Sequence, residues 1–203
     1  MVTINEDKNK FKEQENFLIE YLGIKGLRTG HPAARKIKRS QSGHSAHGNK
    51  IWRSNFVLMD YLSTYPPNKG SKILDVGCGW GLTSIYLAKI FDAKVTASDI
   101  DPNVEAFLRL HSSINQCHVK FETKPFQDYT KEDLSYYDQI VSSDICFWDE
   151  LVEPLIDFID RAQCAGVRMF ISPIPADHRF GLYVISALKH TMPKLLQEEY
   201  TRP

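Results

Sequence analysis

The chain has 203 residues, with 25 Lys plus Arg balanced by 25 Asp plus Glu, so its formal net charge is zero. Hydrophobic residues make up 42% and charged residues 25%, the proportions of a globular chain that buries about 70% of its unfolded surface. These figures exclude a wholly basic nucleic-acid binder and an acidic disordered tail, and no apolar run approaches the ~20 residues that cross a bilayer.

The opening MVTINEDKNK is polar and lacks the apolar stretch of a secretory signal, so a cytoplasmic protein without membrane attachment is expected. Cys78, Cys117, Cys146 and Cys164 show no C-x-x-C spacing and read as reduced thiols rather than a disulfide framework. Phe11, Phe17, Leu18, Tyr21 and Leu22 recur near helical spacing and predict an amphipathic helix over 11–22. Gly23, Gly26 and Gly30-His31-Pro32 then break it.

Charge is uneven. Lys25, Arg28, Arg35, Lys36, Lys38, Arg39, Lys50 and Arg53 lie in a stretch without a single acid, while the residues after it carry 14 basic against 20 acidic, a net −6. The expected form is a solvated loop whose charge offsets the acidic body; the alternative is a site for an acidic partner, a protein surface or RNA. No aromatic residue is interleaved before Trp52, which argues against nucleic acid. The small polar segment 40–50 reads as loop. A helix is expected over 51–62, with Trp52, Phe56, Met59 and Leu62 facing inward, ended by Pro66-Pro67-Asn68-Lys69-Gly70. Residues 1–50 thus read as an extension of helix and basic loop, and 51–203 as the principal domain.

Beyond Gly70, short apolar strands alternate with amphipathic helices. Strands are predicted over 72–76, 94–98, 118–122, 139–142 and 168–171, and helices over 82–90, 102–114, 150–163 and 180–190. Leu82, Ile85, Tyr86 and Ile90 form a core-facing stripe, and Asp101 is placed to cap a helix whose first residue is Pro102. Such alternation implies an α/β fold, a doubly wound and mostly parallel sheet covered on both faces.

Leu74-Asp75-Val76-Gly77-Cys78-Gly79-Trp80-Gly81 follows a predicted strand and opens a predicted helix. Glycines there let the backbone turn tightly and approach a nucleotide-like ligand. The spacing is G-x-G-x-G, not the G-x-G-x-x-G of dinucleotide sites, and no G-K-[ST] follows. The next strand ends at Asp99, where a carboxylate can accept both hydroxyls of a ribose.

LDVGCGWG followed by SDIDP resembles the S-adenosylmethionine-dependent methyltransferases of the seven-stranded, class I fold, over residues 72 to about 190. The resemblance implies S-adenosyl-L-methionine as cofactor. It puts Asp75, Gly77, Cys78 and Gly79 near the methionine part, Asp99 and Ile100 at the ribose and adenine, Phe126 in the loop over the adenine, and Ser143 beside them. Many members carry an acid in that loop, where this chain has Pro125 and Phe126. The family sheet also adds an antiparallel pair after its fifth strand. Here the remaining residues hold the helix over 180–190 and one strand over 195–200, so an open edge is expected, a route to a homodimer.

Asp144-Ile145-Cys146-Phe147-Trp148 lies at the end of the fourth strand, where open α/β sheets bind ligands. It lacks [DNS]-P-P-[YF] and is similar to the D-x-x-[YF] signature of the protein-lysine branch, through Asp144 and Phe147. Lys50-Ile51-Trp52 resembles that branch's tryptophan segment, with Trp52 walling the cofactor. The expected activity is therefore methylation of a protein lysine, with Asp144 as the catalytic group that orients the amine or relays its proton, and Asp144, Phe147 and Trp148 as substrate contacts. The alternatives are a small-molecule N- or O-methyltransferase and a non-catalytic binding module on the same fold. The plainer reading makes Asp144 a helix cap and the aromatics core. His44 and His47 lack a third ligand, so no metal is expected. His111 and His118 are expected at the surface or edge, and the loop over 173–178, followed by Arg179, is placed to border the pocket.

Overall fold

The computed structural model describes residues 17–41, 48, 50–146 and 148–172. The helix expected over 180–190, the strand over 195–200, His44, His47, Phe147 and Arg179 lie outside the described residues.

The described chain begins with a hairpin. Strands β1 (Leu18–Tyr21) and β2 (Ile24–Leu27) pair antiparallel, with Tyr21 opposite Ile24. This corrects the described part, 17–22, of the helix predicted over 11–22; residues 11–16 lie outside the described residues. Leu22 and Gly23 both take positive φ, 47° and 77°, the backbone of a two-residue hairpin turn whose twist matches the strands. The basic stretch is corrected as well. It contains helix α1 (Pro32–Ser40), in which Pro32 occupies the first turn and the His31 side chain accepts the Ala33 N–H at 3.2 Å. Read as a breaker, Gly-His-Pro is a helix start. Helix α2 (Arg53–Thr64) buries Leu58, Met59 and Leu62, with Trp52 just before it.

The sheet has five parallel strands: β3 (Lys72–Val76), β4 (Lys94–Asp99), β5 (Lys120–Thr123), β6 (Gln139–Ser143) and β7 (Arg168–Ser172), in the order β5-β4-β3-β6-β7. β3 and β6 are almost wholly buried, which parallel strands covered on both faces require. Between the strands run α3 (Leu82–Phe91), α4 (Val104–Asn115), the one-turn α5 (Lys131–Leu134) and α6 (Val152–Cys164). One face is closed by a cluster holding Ile73, Ile85, Phe107 and Leu62, which takes in Ile24 of the hairpin and Ala34 of α1; the other is closed by Leu74, Ile140, Leu155 and Phe158.

Three finer expectations change. Leu82 to Leu87 are all buried, because α3 is covered by α2 and α4, while Ile90 is exposed; the core contact is a belt rather than the predicted stripe. α4 begins at Val104, not Pro102, because Asp101 bends the chain first by accepting the Asn103 N–H at 2.9 Å. His111, expected at the surface, is 0% exposed. No described helix is long and apolar enough to cross a membrane, and no described cluster of three His, Cys, Asp or Glu could hold a metal ion.

Candidate active site

The order of strand addition reverses at β3, whose neighbours are β4 on one side and β6 on the other. A crevice opens where the connections from these strand tips part. It is a cleft of about 430 Å³, within the ~300–1,000 Å³ range of small-molecule sites.

The wall at the β3 and β4 tips is mostly backbone. Cys78 N–H donates to the Ser98 carbonyl at 3.0 Å, extending the strand pairing past Val76. Gly79 N–H donates to Asp99 Oδ2 at 2.9 Å, and Asp101 N–H to Asp99 Oδ1 at 3.0 Å. Gly77 and Gly79 both take positive φ, but for different ends. A Cβ on Gly77 would lie 2.2 Å from Ile145 Cγ2, so this glycine admits the β6 loop; a Cβ on Gly79 would meet nothing within 4 Å and would stand in open space. Only the second bares backbone for a ligand's approach.

Asp99 is half-buried, and burial raises its pKa against the hydrogen bonds from Asp101 and Gly79. Asp101 lines the same wall, and its Oδ2 is buried with no hydrogen-bond partner among the described residues. An acceptor oxygen so placed calls for a donor from a ligand or water. Asp75 does not line the cleft. It lies 2% exposed in β3, accepts a hydrogen bond from the Ser84 hydroxyl, and burial pushes its pKa up to about 7. Cys78 lines the cleft, and burial holds its thiol well above the usual range.

The loop after β5 closes a third side through Lys124, Pro125, Phe126 and Gln127. Arg161 of α6 fixes this loop, donating from Nε to the Tyr129 carbonyl at 3.0 Å and from Nη2 to the Gln127 carbonyl at 3.1 Å. Phe126 packs on Phe158 with ring centroids 5.7 Å apart, while Ile100 stands 70% exposed on the rim.

At the β6 tip the wall is side chains. Ser143, Asp144, Ile145 and Trp148 line it. Asp144 takes φ 59°, a left-handed conformation uncommon outside glycine and asparagine or aspartate, of the kind that gathers at functional sites. It caps neither following helix, since those begin after Trp148 and Leu151, so the plainer reading of this aspartate is set aside. Trp148 is 53% exposed at the mouth. Opposite stand Trp52, with the Lys50 ammonium 4.0 Å from its ring centroid, and Asn55, whose Oδ1 accepts the Thr83 hydroxyl at 3.0 Å.

Sequence reasoning missed Asn55, Asp101 and above all Trp80. This tryptophan lines the cleft yet is 2% exposed, stacked on Phe107 at 4.2 Å, with Nε1 donating to the Gly48 carbonyl at 2.9 Å. An aromatic residue inside a glycine turn was the available signal.

Residues 73–163 match the family model described as a methyltransferase domain. A ubiquinone biosynthesis O-methyltransferase of Xylella fastidiosa (strain 9a5c) is 32% identical over 120 residues, 59% of this chain and 48% of that protein. The chain thus spans about half the length of that curated relative. Among solved structures, a SAM-dependent methyltransferase from Agrobacterium tumefaciens shares the fold with a TM-score of 0.61 at 15% identity, over 87% of this chain and 58% of that one. A TehB-like SAM-dependent methyltransferase from Corynebacterium glutamicum does so with a TM-score of 0.50 at 22% identity, over 76% and 77%.

Proposed function

We propose that this protein is a class I S-adenosylmethionine-dependent methyltransferase, a reading that the methyltransferase-domain match over residues 73–163 supports, and that it transfers the cofactor's methyl group to a small molecule. The expectation of a protein lysine gives way to the alternative weighed beside it. Relatives from Xylella fastidiosa and Xanthomonas oryzae, which match over 59% and 66% of this chain, are named for ubiquinone biosynthesis O-methylation, and neither name refers to a protein acceptor. An oxygen acceptor is accordingly favoured over nitrogen.

The residues present fit the cofactor. Asp99 and the unpartnered Oδ2 of Asp101 offer acceptor oxygens for ribose hydroxyls, Ile100 and Phe126 offer apolar faces for the adenine, and Gly79 leaves space for the amino-acid end. Trp52 walls the cleft, and Ser143 and Cys78 complete its lining. Asp75 supports the turn from beneath, through Ser84. When bound, the cofactor supplies an electrophilic methyl group on a positively charged sulfur. The chain's own work is to orient the acceptor, exclude water and receive a proton. Asp144 is the carboxylate on the acceptor side, and a hydroxyl that gains a methyl group must lose its proton, which Asp144 accepts directly or through one water. Trp148 and Trp52 offer ring faces to the acceptor and to positive charge. The observation that carries this reading is Asp144, held at positive φ on the tip of β6 and facing the cleft.

The test is transfer of radiolabelled methyl from S-adenosylmethionine to a metabolite extract and, separately, to its protein fraction. Label in low-mass material is expected; label confined to a discrete protein band returns the lysine reading. Asp144→Asn should lower kcat about 100-fold or more while S-adenosylhomocysteine binds as before. A fully active Asp144→Asn removes this residue from the mechanism.

A further inference from the structure

The glycine turn is held from behind by a side chain of α4. His111 is 0% exposed, and its two ring nitrogens meet groups of opposite kind. Nε2 accepts the Leu27 N–H of β2 at 3.0 Å, and Nδ1 lies 3.2 Å from the Trp80 carbonyl. An amide N–H only donates and a carbonyl only accepts, so the ring is neutral with its proton on Nδ1. Burial pushes its pKa down to about 4, which keeps that form at neutral pH. The ring also stacks on the Trp80 indole, centroids 5.6 Å apart. The titratable groups facing this pair are His31, from the connection into α1, and Lys38 of α1, 5.7 Å from the indole centroid.

One turn further along α4, Asn115 grips the same hairpin. Its Oδ1 accepts the Lys25 N–H at 2.8 Å and its Nδ2 donates to the Lys25 carbonyl at 2.7 Å. β2 is therefore bound to α4 by three hydrogen bonds from two buried side chains. Of these two side chains, it is His111 that continues the connection to the turn.

We propose that His111 is a positioning residue that couples docking of the N-terminal hairpin to the cofactor affinity of the glycine turn. Trp80 sits between Gly79 and Gly81, both at positive φ, in a segment with little conformational preference of its own. The peptide that precedes it carries the Gly79–Trp80 bend, and Gly79 N–H is the group bonded to Asp99. Anchoring the Trp80 carbonyl through an imidazole that also requires the Leu27 N–H makes the turn's geometry conditional on the hairpin's presence. The inference rests on the cofactor reading given above.

The experiment is titration of the full chain with S-adenosylhomocysteine by calorimetry. His111→Phe keeps a ring on Trp80 but loses both hydrogen bonds, and should weaken binding about tenfold with a cooperative melt retained. His111→Asn, whose amide reaches the Nδ1 position, should regain most of that loss. Asn115→Leu loosens the hairpin from its other grip. It should speed hydrogen exchange at the Leu27 amide and weaken binding a few-fold in the parent, with no further weakening in the His111→Phe background. A folded His111→Phe that binds like the parent overturns the coupling and leaves the cofactor reading intact. Should His111→Phe not fold, Asn115→Leu decides: faster Leu27 exchange with unchanged affinity also overturns it. A parent that binds no S-adenosylhomocysteine overturns both.

Discussion

At the β3–β4 end of the cleft the wall is mostly main chain, with the Asp99 and Asp101 carboxylates set into it. Gly79 N–H sits on Asp99, Cys78 N–H on the Ser98 carbonyl, and the Ser98 hydroxyl on the Lys124 carbonyl at 2.7 Å. At the β6 end the wall is made of side chains, a strained Asp144 and an exposed Trp148, with the Ser142 hydroxyl tying the strand back to the Val76 carbonyl at 2.9 Å. Main chain cannot be exchanged by substitution, so the first end suits a ligand that never changes. Side chains can, so the second suits whichever acceptor a given sequence selects.

Substitutions at the two glycines should separate packing from recognition. Gly77→Ala forces a Cβ onto Ile145 at positive φ and should cost about 2–4 kcal/mol of stability by thermal or denaturant melting. Gly79→Ala faces open space and should cost only about 1 kcal/mol, yet weaken S-adenosylhomocysteine more than Gly77→Ala does. The reverse order would place the ligand elsewhere.

Two buried groups under the first end give stability opposite pH slopes. Asp75 has its pKa raised from 3.8 to about 7, so its contribution is full below the lower value and lost as pH rises through the higher. His111 has its pKa lowered from 6.5 to about 4, so its contribution is full above the higher value and lost as pH falls through the lower. Each slope is worth on the order of 3–4 kcal/mol across its window. Asp75→Asn should therefore move the pH of maximum stability upward and His111→Phe should move it downward, read from melts across pH 4 to 7. Coincident profiles would mean that neither group is perturbed by burial.

Asp99→Ala should weaken S-adenosylhomocysteine by about 1.5–3 kcal/mol, the worth of hydrogen bonds to a charged acceptor. Unchanged affinity in a folded variant removes Asp99 from the ribose. The smallest effect on stability is expected at the other end. Trp148→Ala, half in solvent, should shift stability by less than about 0.5 kcal/mol while raising the acceptor's KM. A large loss of stability would show that Trp148 serves packing rather than acceptor recognition.

The five parallel strands were legible because buried strands are short apolar runs between turn residues, and the structure keeps 72–76 unchanged and extends 94–98 by Asp99. The turn at Gly77 and Gly79 and the cleft-facing positions of Asp99 and Asp144 were legible for a related reason: strand ends place such residues without help from distant contacts. The hairpin was not. Leu18–Tyr21 carries apolar residues that fit either period, and the turn uses Leu22-Gly23, without the asparagine or aspartate that marks such loops. The buried state of His111 was equally hidden, since its partners lie 84 and 31 residues away.

By itself the sequence determined which segments alternate as strand and helix and which residues reach the strand tips, because periodicity and turn chemistry act over a few neighbours. Tertiary structure alone decided that a hairpin and a basic helix close onto α4. It alone decided that Trp80 faces both core and cleft, and that Asp75 stands behind the turn. Those outcomes depend on burial and on hydrogen bonds between residues far apart in the chain, which no local pattern encodes.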